Sequence, residues 1–112
     1  MRELLNYIDG KWTEALNGDG FDVINPATGE VIAKAAKGGR EDARLAIAAA
    51  KREFYSNRKG WRRLSAVKRS EVLLTVASML EGERERFAQA ETMDNGKPLR
   101  EALGDVDDAV SY

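Results

Sequence analysis

Any chemistry in this chain must be done by oxygen and nitrogen, because its 112 residues include no cysteine and no histidine. A thiol nucleophile, a disulfide and a thiolate metal site are excluded. The commonest general base near neutral pH is missing too, leaving Asp, Glu, Lys, Tyr and Ser. Two groupings of such residues stand out. Lys51, Arg52, Arg58, Lys59, Arg62, Arg63, Lys68 and Arg69 form a basic stretch whose one acid is Glu53, and Phe54, Tyr55 and Trp61 lie among them. Basic residues interleaved with aromatics are one form of nucleic-acid surface. Glu101, Asp105 and Asp108, at i, i+4 and i+7, put three carboxylates on one side of a helix.

Both groupings have a plainer meaning. Phe54 falls on the apolar face of its own helix, and Glu81 to Asp108 holds nine acids against four bases, enough to offset the basic stretch. The formal net charge is only -1, so no nucleic-acid partner is expected. A carboxylate stripe by itself is the solvent side of a helix. Lys97, following Gly96, reads as a helix-end cation, and Trp12 and Trp61 read as packing residues. No Gly-x-x-x-x-Gly-Lys-[Ser/Thr] loop and no Gly-x-Gly-x-x-Gly occurs, so the chain carries no dinucleotide-binding loop. No apolar run is long enough for a signal peptide or a membrane span; no membrane partner is expected, and the cytosol is the expected location.

The elements that must position these residues change character midway. Residues 1–37 read as two β-hairpins, Leu4 to Trp12 around Asp9-Gly10 and Phe21 to Ala36 around Asn25-Pro26-Ala27-Thr28-Gly29, joined by Gly18-Asp19-Gly20. Residues 40–112 read as helical. Ala43, Ala46, Ile47, Ala50 and Phe54 form the stripe of a first helix. Ser65 is the N-cap of a second helix reaching Leu80, whose apolar residues Val67, Val72, Leu73, Val76, Ala77 and Leu80 spread widely around the axis, so that it should be the most buried. A third helix with Phe87, Ala90 and Met93 stops at Asn95-Gly96, and Pro98 opens a fourth whose inward face is Leu99, Ala102, Leu103, Val106 and Val110. That stripe is still running when the sequence reaches Tyr112, with no capping residue, which reads as a helix cut short. The fold class is α+β: two hairpins, then about four helices.

Several motifs occur in order along the chain: Tyr7-Ile8-Asp9-Gly10-Lys11-Trp12, Asn25-Pro26-Ala27-Thr28-Gly29-Glu30-Val31-Ile32-Ala33, Glu41-Asp42 with Ala46-Ile47-Ala48-Ala49-Ala50, Trp61 followed by Arg69, and Glu91-Thr92-Met93-Asp94-Asn95-Gly96-Lys97-Pro98-Leu99. At these spacings the set resembles the opening stretch of the NAD(P)-dependent aldehyde dehydrogenase superfamily. The resemblance implies an α/β, Rossmann-like fold for the full family member, and for this chain a single amino-terminal segment lacking the dinucleotide-binding loop and the catalytic domain. It implies oxidation of an aldehyde to a carboxylic acid, with NAD or NADP as cofactor, in a homo-oligomer, either dimer or tetramer.

The family's cysteine nucleophile, glutamate base, oxyanion-hole asparagine and nucleotide loop lie later in its pattern, so the resemblance assigns no catalytic or cofactor-binding residue here. Without the nucleophile the covalent route is closed, and the chain alone is expected to be inactive. Some members bind a monovalent cation, K+ or Na+, through main-chain carbonyls just before the Asn-Pro turn and an aspartate after Gly-Lys-Pro. Those positions fall at Val23, Ile24 and Asp105, with Asp107 a competitor in register. The alternative function is a stand-alone helical protein-protein interaction module, since the helical stripes could leave apolar surface needing a partner.

Overall fold

The computed structural model describes residues 2–56 and 58–112. Five strands come first: β1 (Arg2–Leu4), β2 (Asn6–Ile8), β3 (Lys11–Thr13), β4 (Gly20–Ile24) and β5 (Val31–Ala36). Then follow α1 (Arg40–Ser56), a 3-10 turn (Trp61–Arg63), α2 (Ala66–Gly82), α3 (Arg84–Asn95) and α4 (Leu99–Ser111). This is the α+β architecture expected from the change of period. The chain divides into two compact units, one comprising the stretch up to Val23 with Val31–Leu64, the other Ile24–Glu30 with Ser65–Tyr112.

In the first unit β2 and β3 form an antiparallel hairpin with Tyr7 opposite Trp12, their rings 4.8 Å apart. Asp9 and Gly10 make its turn with φ of 53° and 76°, the doubly positive backbone that matches the right-handed twist of a hairpin. A second sheet has the order β1-β5-β4. The sequence reading placed Leu4 in the first hairpin; the structure pairs it with Ala35, because β1 runs parallel to β5. Turn chemistry could not reveal that pairing, since its partner lies about thirty residues away and a parallel pair needs no turn.

α1 is tied in by its one buried residue, Asp42, which is 6% exposed. Its carboxylate accepts from the Gly39 amide at 2.8 Å, as a helix cap does, and from the Leu16 amide at 3.1 Å. The stripe read as its inward face is not buried: Ala43 and Ala50 are exposed, Ile47 is 62% exposed and Phe54 49%.

The second unit is built on α3 and α4. Ala88 and Ala102 are fully buried and Val106 nearly so, with Leu80, Leu103 and Val110 packed around them. Methyl side chains at the contact let the two helix backbones come close. Of the face predicted for α4, Ala102, Leu103, Val106 and Val110 do turn inward, whereas Leu99 is exposed. The expectation for α2 is reversed. Ser65 does cap it, its hydroxyl accepting from the Lys68 amide at 3.2 Å, yet the helix contains no buried residue. Val67, Leu73, Leu74 and Met79 are each at least 60% exposed. Apolar groups all round an axis need neighbours on every side, and among the described residues α2 packs chiefly against α4 and α3, with Leu80 against their buried cluster.

The turn between α3 and α4 depends on Gly96, whose φ is 80° and whose amide donates to the Thr92 carbonyl at 2.9 Å. A Cβ there would sit 2.9 Å from Cγ of Pro26 in the Asn25–Gly29 turn. Replacing Gly96 by Ala therefore adds left-handed strain and a clash, and urea unfolding should show a loss of about 1–2 kcal/mol or more.

Candidate functional site

The densest polar constellation among the described residues lies where α3 hands over to α4. The Asn95 side chain accepts from the Lys97 amide at 2.9 Å, which turns the Lys97 side chain back across the helix pair. Its ammonium donates to Glu91 on α3 at 3.2 Å and to the Asp105 carboxylate on α4. At 29% exposure it is the most sheltered cation in these pairs. The carboxylate of Asp105, and after it that of Glu91, raises the Lys97 pKa above the ordinary lysine value. Lys97 stands just past the C-cap Gly96, at the end of α3 as read from the sequence, and in addition two carboxylates hold it, so that it bridges two helices.

A second bridge, two residues further along α4, is a two-point pair. Arg84 Nε meets Asp107 Oδ1 and Nη2 meets Oδ2 at 2.6 Å. The fork of the guanidinium matches the carboxylate, so this pair fixes orientation as well as charge. Arg84 holds the Asp107 carboxyl below the usual aspartate range, and Asp107 pushes the guanidinium up. Neither bridge was visible in the sequence, because their partners stand six to twenty-three residues apart.

The positions singled out for a cation are now located. Val23 and Ile24 close β4, and Asp105 is on the exposed side of α4 with its carboxylate engaged by Lys97. Asp107, the competing register, belongs to Arg84. Glu101 and Asp108 are exposed, so the carboxylate stripe faces solvent. Among the described residues, no group of three or more acidic side chains is arranged to hold a metal ion.

Three residues of the basic stretch, Arg52, Arg62 and Lys68, are engaged with other side chains of the protein. Arg52 pairs with Asp9 at 2.9 Å and Lys68 with Glu71 at 2.9 Å. The Arg62 guanidinium lies 4.8 Å from the centre of the Phe54 ring and 5.8 Å from that of Tyr55, a stacked arrangement that uses the aromatic faces a base would need. Among the described residues no helix is long and apolar enough to cross a membrane.

Comparison with known proteins shows what the chain is similar to. A family model described as the aldehyde dehydrogenase family matches residues 12–112. Betaine aldehyde dehydrogenase of Bacillus subtilis is 40% identical over 105 residues, covering 94% of this chain and 21% of the relative. The 3,6-anhydro-alpha-L-galactose dehydrogenase of a Vibrio species is 38% identical over 112 residues, covering 100% of this chain and 22% of the relative. Among solved structures, betaine aldehyde dehydrogenase from Staphylococcus aureus in complex with NAD+ superimposes with a TM-score of 0.88 at 40% identity, over 93% of this chain and 20% of that one. The chain thus spans about a fifth of the length of the curated relatives it matches.

The Arg84–Asp107 pair sets a pH dependence. A carboxyl whose folded pKa is depressed adds stability that is present above its ordinary value of about 3.8 and is lost as pH falls through the lower folded value. Thermal melts by circular dichroism should therefore show stability falling in acid, and Asp107→Asn should flatten part of that fall while lowering the melting temperature near neutrality. An unchanged acid profile in the variant would remove the pair from the account.

Proposed function

Because this chain belongs to the aldehyde dehydrogenase family, we propose that it is the amino-terminal part of an NAD(P)-dependent aldehyde dehydrogenase. The whole enzyme would oxidise an aldehyde to a carboxylic acid, and the segment would supply framework rather than catalytic groups. One observation carries this reading: the match to the family runs through nearly the whole chain, yet the chain holds no cysteine to attack an aldehyde and no histidine to assist. A Rossmann-like nucleotide domain, a homo-oligomeric state and a cytosolic location belong to the same proposal. NAD is the better supported cofactor, since a solved relative was captured with NAD+. It would bind outside these residues, which contain no phosphate-cradling glycine loop.

A monovalent cation, K+ or Na+, remains part of the proposal, held by the carbonyls of Val23 and Ile24 and the carboxylate of Asp105. Oxygen donors of this kind suit a hard cation. Asp105 already carries the Lys97 ammonium, so an ion there would share the carboxylate with that side chain.

The purified 112-residue polypeptide should give no NADH or NADPH with a panel of aldehydes that includes betaine aldehyde; sustained turnover would overturn the proposal. A second reading, a helical interaction module, is favoured by the exposed apolar surface of α2. It predicts concentration-dependent self-association or partner binding. Light scattering that reports a well-folded monomer at every concentration would argue against self-association and favour the scaffold reading.

A further inference from the structure

Both Asn-Gly dipeptides of this chain are built on the same local plan. In Asn17-Gly18-Asp19 the Gly18 amide donates to the Ala15 carbonyl at 2.8 Å, Gly18 has φ of 72°, and the Asn17 side-chain oxygen accepts from the Asp19 amide at 3.0 Å. In Asn95-Gly96-Lys97 the Gly96 amide donates to Thr92, Gly96 has φ of 80°, and the Asn95 side-chain oxygen accepts from the Lys97 amide at 2.9 Å. Asn-Gly is the sequence at which asparagine loses its amide most readily, because glycine leaves the following nitrogen unhindered. That nitrogen attacks the side-chain carbon, a C–N bond forms, and ammonia departs with the proton the amide gave up. Water then opens the succinimide at the side-chain carbon to give aspartate, or at the main-chain carbon to give isoaspartate. Nothing is oxidised or reduced. In the native fold the attacking nitrogen of each pair is engaged with a carbonyl, so each reaction waits on local opening.

We propose that Asn17 is a site of spontaneous deamidation in the native protein, whereas Asn95 is kept intact by the end of α3. The openings differ in what they break. Asn17, Gly18 and Asp19 are all exposed and lie outside any helix or strand. The buried Ala15 and the Leu16 amide, held by Asp42, anchor the chain just before them, so an opening can be confined to the loop tip. It costs the Gly18 bond and the contacts of Asn17 with Asp19, including the side-chain amide bond to the Asp19 carboxylate at 2.7 Å. Freeing the Gly96 nitrogen instead frays the last turn of α3 and releases the turn that directs Lys97 to Glu91 and Asp105. The product at Asn17 also alters the loop. A new carboxylate there has no amide to offer Asp19 and repels it, loosening the loop that leads into β4.

Peptide mapping by mass spectrometry tests this on the chain incubated in mildly alkaline buffer, with and without urea. Native protein should convert Asn17 roughly tenfold or more faster than Asn95, because only the lower-cost opening is well populated. In urea, where neither opening is needed, the two rates should converge. Asn17→Gln, which cannot close a succinimide, should abolish acid formation at that peptide and leave Asn95 unchanged. Asn95 matching or leading Asn17 in the native protein would overturn the proposal, and so would a lead for Asn17 that persists undiminished in urea.

Discussion

The contact between Ala88 and Ala102 is the constraint on which the helical unit rests. Both are fully shielded from solvent, and any larger side chain at either place would push α3 and α4 apart. Close approach has a second effect, since it brings polar residues at the margins of the two helices within reach of one another. Arg84 can then grip Asp107, and Lys97 can lie across to Glu91 and Asp105. Exposed ion pairs of this sort contribute modestly to stability. Their main consequence is geometric: a forked pair and a shared ammonium, bearing on α4 two residues apart, restrict the sliding of one helix along the other.

How much of this was legible follows from the range of each interaction. The hairpin at Asp9-Gly10, the Ser65 cap and the Gly96 stop are decided by neighbours within four residues, and all are where turn and capping chemistry put them. The parallel pairing of β1 with β5, the double grip of Asp42 and the Lys97 bridge join residues far apart in sequence, and no local pattern records them. Asp42 left a partial trace, being three residues after Gly39 at the start of an apolar stripe. Its second partner, the Leu16 amide, left none.

Periodicity misled in one instructive way. It identifies which residues are apolar, not what covers them. On α1 the stripe of Ile47 and Phe54 is real, yet the buried residue is a carboxylate, because two backbone amides required an acceptor more than the helix required an apolar contact. On α2 the apolar residues encircle the helix, a pattern that indicates burial only where neighbours exist on all sides.

That same surface bears on the proposed function. Covering a Val, Leu or Met side chain that would otherwise face water is worth about 1.5–3 kcal/mol. Val67, Leu73, Leu74 and Met79 offer several such side chains on one helix. Leu80 joins α2 to the buried cluster of Ala88, Ala102 and Val106. Under the proposed function the segment's contribution is therefore apolar surface delivered on a rigid helical frame, with the polar bridges setting its orientation and the chemistry left to residues elsewhere in the enzyme.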